Sequence, residues 1–231
     1  MRNRPIPKMS DEDRAFVESL VIAHSDGVLA INKPSGLPTQ TRGNRGRNLD
    51  HLLWAFARSN GKRPRLVHRL DTGTSGVILA ATTQPVATDL SQQFEARSVT
   101  KKYLALVVWD GRDVSSGTIT SPLEVIPGRP PKARISDGGK TAKTQWLVLE
   151  SKTDAALLEV KPRTGRLHQI RAHLASIGLP LYGDLLYGGK DTARLMLHAA
   201  SLDVRIGSTQ KTYSAPLHAD WGKAVGEFGF I

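Results

Sequence analysis

Residues 66–76 read LVHRLDTGTSG, and this segment is the most informative part of the chain. A polar stretch containing Asp71 lies between an apolar dipeptide and the apolar residues 76–81, which predict a short strand. Gly73 and Gly76 permit unusual backbone angles and a close approach of substrate. Asp71 is therefore expected on a loop held by a strand, where reactive side chains are often found. The alternative for a lone aspartate is a turn in which its carboxylate only accepts backbone amides.

Two familiar catalytic motifs do not account for this segment. Protein kinases place the aspartate directly after His-Arg, whereas Leu70 intervenes here. The serine-hydrolase elbow needs Gly-x-Ser-x-Gly, and Ser75 is followed two residues later by Val77. A kinase or a serine hydrolase is therefore disfavoured.

Composition narrows the class of partner. The 231 residues include 32 Lys and Arg against 21 Asp and Glu, a formal net charge of +11. Such a charge favours a polyanion, nucleic acid before an anionic membrane, although a solvated basic surface without a partner is the alternative. Cysteine is absent, which excludes disulfides and thiolate metal sites. No apolar run approaches the ~20 residues of a spanning helix and no signal peptide is evident, so we expect a cytoplasmic protein.

The chain as a whole predicts a single α/β (α+β) domain over residues 1–231, with a mixed, mostly antiparallel sheet. Residues 1–20 are expected to form a loose leader and a short helix capped by Ser10, and Asn48 is expected to cap a second helix. Residues 126–140, rich in Pro, Gly, Arg and Lys, predict a long exposed loop. A helix is predicted where apolar side chains share one face, at Leu167, Ile170, Leu174 and Ile177.

Residues 101–107 read KKYLALV and predict a strand. Alternation puts Tyr103 and Ala105 on one face and Leu104 on the other. Tyr103 is either a core aromatic or a ring that stacks on a base and offers a hydroxyl.

Residues 161–174 read KPRTGRLHQIRAHL and place Arg171 one helical turn after His168. The spacing of His168 and His173, without a carboxylate in the helix, makes a zinc site improbable. For Arg166 and Arg171 the alternative to a functional role is solvated helix charge.

Together these segments resemble the RluA-type family of RNA pseudouridine synthases, over about residues 28–216. Each piece alone is modest, but four pieces in the right order are highly specific. The matching pieces are NKPSG at 32–36, HRLDxxTSG at 68–76, KYL at 102–104, and TGRxHQIR at 164–171 followed by GxP at 178–180 and YGD at 182–184.

The resemblance implies the fold of these enzymes, a central mixed sheet flanked by helices and loops with the active cleft across its middle. It implies that Asp71 is the essential carboxylate, that Tyr103 stacks on the target base, and that Arg171 is the ion-pair partner of Asp71. It also implies that Arg69 fills the space left by the flipped base. Further residues are implied at the RNA, His68, Arg166 and His168, and in the pocket, Leu104 and Ile170.

Many members of this family carry an N-terminal S4-type RNA-binding domain. About 25 residues precede the resembling region here, so the short form without that domain is expected. RNA recognition would then rest on the cleft and its loops. The cations expected to contact phosphates are Arg42, Arg45 and Arg47 on one side, and Arg129, Lys132 and Arg134 on the other.

The implied reaction isomerises uridine to pseudouridine in a stem-loop of tRNA or ribosomal RNA, and it needs no redox cofactor and no metal. A monomer is expected. The main alternative is a non-catalytic RNA-binding protein on the same fold. A second alternative, an aspartate-dependent phosphoryl hydrolase, normally needs Mg²⁺ and further carboxylates, and the nearest, Asp50 and Asp89, form no ligand pattern with Asp71.

Overall fold

The structure is a computed structural model that describes residues 9–41 and 46–230. The α-helices are α1 (Asp11–Ser19), α2 (Leu49–Leu52), α3 (Gln84–Glu95), α4 (Gln169–Ser176) and α5 (Ala219–Glu227). The strands are β1 (Val21–Ser25), β2 (Val28–Lys33), β3 (Arg65–Leu66), β4 (Ser75–Ala81), β5 (Thr100–Val108), β6 (Ser116–Ile119), β7 (Leu123–Ile126), β8 (Lys132–Ile135), β9 (Thr144–Ser151), β10 (Ala155–Pro162), β11 (Leu197–Ile206) and β12 (Thr209–Ser214). One-turn 3₁₀ helices cover Leu53–Phe56 and Leu185–Tyr187.

The chain divides into two compact units. The first comprises Met1–Val99 and Ser201–Pro216, and the second Thr100–Ala200 and Leu217–Ile231. The expectation of a single catalytic domain over residues 1–231 stays a prediction.

In the first unit, β2 pairs antiparallel with both β1 and β4. Every residue of β2 and β4 is buried, which explains their nearly continuous apolar sequences VLAINK and SGVILAA. The register sets Lys33 opposite Gly76. The end of β2 therefore lies beside the point where the chain leaves the Asp71 segment and enters β4.

The local signals in the first unit are confirmed. Ser10 caps α1 by accepting the N–H of Asp13 at 3.1 Å, and Asn48 caps α2 by accepting the N–H of His51 at 2.9 Å.

In the second unit, β10 pairs antiparallel with β5 and β9, and β9 pairs with β6. Helix α4 packs against this sheet through Ile170 and Leu174, which belong to one buried cluster with Ala105 and Leu158. In both units antiparallel strands are accompanied by helices, which confirms the predicted mixed, mostly antiparallel α/β fold. Within residues 9–41 and 46–230 no helix is both long enough and apolar enough to cross a bilayer.

The second unit also differs from the prediction. The prediction of a loop over 126–140 is wrong for residue 126, the last of β7, and for residues 132–135, because β8 pairs with β7 as a hairpin. The helix predicted from Leu167 starts at Gln169, since His168 has a left-handed backbone with φ of 49° and ends the preceding loop. Helix α5, which buries Trp221, was not predicted.

Candidate active site

The Asp71 segment is a short turn in the first unit between β3 and β4. The N–H of Thr74 donates to the carbonyl of Asp71 at 3.1 Å, and the Asp71 side chain is half-buried. Its neighbouring carbonyls all accept hydrogen bonds from side chains of residues 33–39. The donors and acceptors are Thr39 Oγ1 to Leu70 O at 2.6 Å, Lys33 Nζ to Thr72 O at 3.1 Å, and Ser35 Oγ to Gly73 O at 2.7 Å.

Lys33 is the central residue of this arrangement. Its side chain is fully buried, and its ammonium also donates to the carbonyls of Pro34 at 3.0 Å and Leu37 at 2.8 Å. A buried cation is costly unless its donors are satisfied, and bonds from a charged donor are stronger than neutral ones. The NKPSG segment therefore fixes the backbone that carries Asp71.

His68 anchors the other end of the same segment. Its Nε2 accepts the N–H of Leu79 at 2.9 Å, and its ring stacks on Phe94 with centroids 4.4 Å apart. A backbone N–H can only donate, so Nε2 carries no proton. His68 therefore has a structural role, and its contact with RNA stays a prediction. The next residue, Arg69, is exposed, and its role in base flipping stays a prediction as well.

In the second unit, Arg171 contacts two side chains, Asp184 and Tyr187, for which the sequence predicted no role. Its Nε and Nη2 donate to the two carboxylate oxygens of Asp184 at 2.8 and 2.7 Å. Its guanidinium also lies over the ring of Tyr187, 5.0 Å from Cζ to the centroid. The ion pair of Arg171 with Asp71 stays a prediction, while its pairing with Asp184 is a feature of the second unit. The available signal was YGD at 182–184, which matched a family motif without indicating a partner.

The glycine of that motif is required by packing. Gly183 has φ of +73°, and a Cβ there would collide with the carbonyl of Arg194. The turn can therefore bring Asp184 into the interior, where its side chain has an exposed fraction of 0% against 12% for Arg171.

A buried carboxamide fixes the loop that precedes α4. The Oε1 of Gln169 accepts from Thr164 Oγ1 at 2.6 Å and from the N–H of Arg166 at 3.1 Å. Its Nε2 donates to the carbonyl of Lys143 at 3.0 Å and to Thr144 Oγ1 at 2.9 Å. Both groups of the amide are fully used, which explains the Thr164 and Gln169 of the TGRxHQIR segment.

His173 continues this network in a structural role. Its Nε2 lies 2.9 Å from the carbonyl of Ser121 and its Nδ1 2.8 Å from Thr144 Oγ1. A carbonyl only accepts, so Nε2 carries the proton, and burial lowers the pKa of the imidazole from its ordinary value. Among the residues that the structure describes, no three His, Cys, Asp or Glu side chains form a group able to hold a metal ion.

Tyr103 is half-buried on β5, opposite Val160 of β10. It packs against the buried cluster to which Ile170, another predicted site residue, belongs. Leu104 lies on the other face of β5, against the cluster that contains Trp221. Its place in the pocket stays a prediction.

The predicted phosphate contacts differ in their surroundings. Arg42 and Arg45 lie outside the described residues. Arg47 forms an ion pair with Asp13 at 2.8 Å, and its guanidinium lies 4.2 Å from the ring centroid of Phe16. Both partners belong to α1, so Arg47 also contacts this helix.

The other predicted contacts lie in the second unit. Arg134 pairs with Glu124 across the β7–β8 hairpin at 3.0 Å, whereas Arg129 and Lys132 are exposed on the same hairpin. Arg166 is half-buried and donates through Nε to the carbonyl of Thr141 at 3.2 Å.

Comparison with known proteins shows which family has a similar sequence. The family model for RNA pseudouridylate synthases matches residues 27–176. The chain is 40% identical over 187 residues to the uncharacterized RNA pseudouridine synthase YhcT of Bacillus subtilis, which covers 78% of this chain and 61% of that protein. It is 35% identical over 193 residues to the dual-specificity RNA pseudouridine synthase RluA of Escherichia coli K12, which covers 80% of this chain and 86% of that protein.

Solved structures agree with these sequences. The human RNA pseudouridylate synthase domain containing 4 matches with a TM-score of 0.78 and 25% identity, over 94% of this chain and 97% of that one. The human RNA pseudouridylate synthase domain containing 1 matches with a TM-score of 0.72 and 26% identity, over 94% of this chain and 86% of that one. These matches confirm the predicted pseudouridine synthase fold. The chain belongs to the RNA pseudouridylate synthase family.

Proposed function

We propose that this protein isomerises uridine to pseudouridine within RNA and that Asp71 is its catalytic carboxylate. The observation that carries the proposal is the fixed backbone around Asp71, where the carbonyls of Leu70, Thr72 and Gly73 on either side of it are bound by buried or half-buried donors. A reacting group gains most from such positioning, because a misplaced carboxylate loses much of its rate advantage. Membership of the family supports the same assignment.

The reaction conserves composition. The N1–C1′ bond breaks, uracil turns, a C5–C1′ bond forms, C5 loses its proton and N1 gains one. An ionised Asp71 serves this reaction either by adding to C1′ or by taking a proton from C2′, and both routes remain open. Neither route needs oxidation or hydrolysis.

The roles proposed for Tyr103, Arg69 and Arg171 follow from the requirement that the target base leaves its stack in the RNA. Tyr103 offers a ring on which the base stacks, Arg69 offers a planar cation that occupies the vacated place, and Arg171 offers a guanidinium beside the reacting carboxylate. Unstacking costs a few kcal/mol and least in an unpaired stretch. We therefore expect a target in a stem-loop of tRNA or ribosomal RNA, and equal activity on a fully paired RNA would contradict this.

The first test is tritium release from [5-³H]uridine-labelled RNA, in excess EDTA, by the native protein and by Asp71→Ala and Asp71→Asn. We expect release by the native protein and a loss of roughly a thousandfold or more in both variants, because a group that reacts directly is removed. Asp113→Ala, at an exposed carboxylate, is the matched control and should retain activity. RNA binding without release by any of the proteins would instead indicate the non-catalytic RNA-binding function.

The hairpin cations should contribute to RNA affinity through phosphates. Arg129→Ala and Lys132→Ala should each weaken binding uniformly across RNA sequences and lower the slope of log Kd against log salt by about one. Binding titrations at several salt concentrations measure this, and an unchanged slope would contradict it. Arg134→Ala should change the slope less, because Arg134 already pairs with Glu124.

A cytoplasmic monomer that works without metal remains part of the proposal. Sedimentation of the protein with and without RNA tests the monomer, and activity in EDTA tests metal independence.

A further inference from the structure

Tyr187 is the residue where three features of the second unit meet. Its ring lies beneath the guanidinium of Arg171, with 5.0 Å between Cζ and the ring centroid. Its hydroxyl oxygen accepts the N–H of Ala133 in β8 at 2.8 Å and lies 3.1 Å from Nδ1 of His168. One side chain therefore touches the hairpin, the start of α4 and the arginine assigned to the reaction.

The direction of these hydrogen bonds fixes the phenol. The N–H of Ala133 can only donate, so Tyr187 acts as acceptor there and its own proton is available for Nδ1 of His168. The phenol cannot turn without losing both contacts, whichever of Tyr187 and His168 donates the proton between them. The ring face presented to Arg171 is thus set by the position of β8.

The hairpin has an inner and an outer side. Ala133 is buried at 4% exposure and packs in a cluster with Leu123, Ala142 and Ala172, against which Tyr187 also packs. Its two sequence neighbours, Lys132 and Arg134, are exposed because side chains alternate along a strand. The outer side carries cations, whereas the inner side contacts Tyr187 and the residue after Arg171.

We propose that Tyr187 is a positioning residue that couples contact of the β7–β8 hairpin with RNA to the orientation of Arg171. RNA held by the outer side of the hairpin fixes β8, the Ala133 N–H fixes the phenol, and the phenol ring fixes the face of the guanidinium whose edge Asp184 already holds. The inference rests on the proposed function, in which Arg171 takes part in the reaction.

The test is a double-mutant cycle between Lys132→Ala and Tyr187→Phe, read as affinity for RNA and as the single-turnover rate of tritium release at saturating RNA. Phe keeps the ring beneath Arg171 and removes the hydroxyl group, together with its contacts to Ala133 and His168. We expect Tyr187→Phe to lower the saturated rate by about tenfold with little change in affinity, as expected for the loss of positioning bonds. Lys132→Ala should lower both affinity and saturated rate in the native background, but only affinity in the Tyr187→Phe background.

Two controls separate coupling from general damage. Tyr213→Phe removes a buried phenol of the first unit whose oxygen has no hydrogen-bond partner among the described residues, and Lys223→Ala removes one exposed positive charge from α5. Both should retain the native saturated rate, and melting curves should show all variants folded.

Three outcomes would overturn the inference. They are a Tyr187→Phe rate within twofold of native, a Lys132→Ala variant that loses affinity alone in the native background, and equal rate effects of Lys132→Ala in both backgrounds. The second outcome needs no change at Tyr187, so it decides the matter even if Tyr187→Phe does not fold. Failure of the proposed function is distinguishable, because the native protein itself would then release no tritium from any RNA.

Discussion

The Asp71 turn and the Arg171 cluster are held in place in different ways. Around Asp71 the bonds run from side chains to main-chain carbonyls, with the buried ammonium of Lys33 at the centre. Around Arg171 the contacts run between side chains, an ion pair with Asp184 and an aromatic face from Tyr187. The first arrangement fixes a stretch of backbone and the second fixes one guanidinium, so the two should fail differently when a partner is removed.

The largest effect is expected at the ion pair of the second unit. Asp184→Ala removes the carboxylate that accepts from both Nε and Nη2 of Arg171, in a pair whose side chains are only 12% and 0% exposed. Removing one member of a buried pair costs about 3–5 kcal/mol, so the free energy of unfolding should fall by about that amount. Urea denaturation measures it. Glu124→Ala, which removes the partner of the exposed Arg134, should change the stability little, and equal effects of the two variants would contradict the difference in burial.

A smaller loss is expected at the first region. Lys33→Met keeps the length of the side chain and removes the ammonium that binds three carbonyls, so unfolding should become easier by about 2–3 kcal/mol. Tritium release should fall as well, since the Asp71 backbone loses its central support. Ser35→Ala, which removes the single bond to Gly73, should cost only about 1 kcal/mol. A Lys33→Met protein as stable as native would show that the carbonyl bonds contribute little.

The smallest effect is a difference in pH response between the two regions. Burial lowers the pKa of His173 below its ordinary 6.5, so its stabilising contribution is complete above pH 6.5 and is lost as the pH falls through the lowered folded-state value. The segments of the first region, residues 33–39 and 70–76, contain no histidine, the side chain that ordinarily changes charge between pH 5 and 8. Hydrogen exchange, corrected for intrinsic rates, should therefore accelerate on mild acidification in α4 more than in residues 70–76. His173→Gln should remove the difference, and its persistence in that variant would contradict the assignment.

Local chemistry made several elements predictable. Ser10 and Asn48 are caps because their short polar side chains reach the free N–H groups of the first helical turn. Strand β4 was visible because both its faces are buried, so its sequence is nearly all apolar. The Asp71 segment stood out as the polar interval before that strand.

Other elements carry no such local signal. Strand β8 buries only Ala133 among its four residues, so its apolar face cannot be distinguished from the surrounding Pro- and Gly-rich sequence. The left-handed backbone of His168 shortens α4 at its start, although His168 continues an otherwise helical sequence. The role of Gln169 was also hidden, because a buried carboxamide and an exposed one have the same sequence.

The sequence by itself determined the family, and it supplied the catalytic candidates and the expectation of a polyanionic partner, because side-chain chemistry, motif order and net charge are local or additive properties. Only the tertiary structure decided that Lys33 is a buried support for the Asp71 backbone and that Asp184 and Tyr187 hold Arg171. These are pairings between residues that are distant in sequence. Their strength depends on burial and on distance, which is 2.7–3.1 Å for the hydrogen bonds and 5.0 Å from Cζ of Arg171 to the ring centroid of Tyr187. The folded chain alone sets both quantities, because a hydrogen bond or ion pair gains its specificity from geometry and from the exclusion of water.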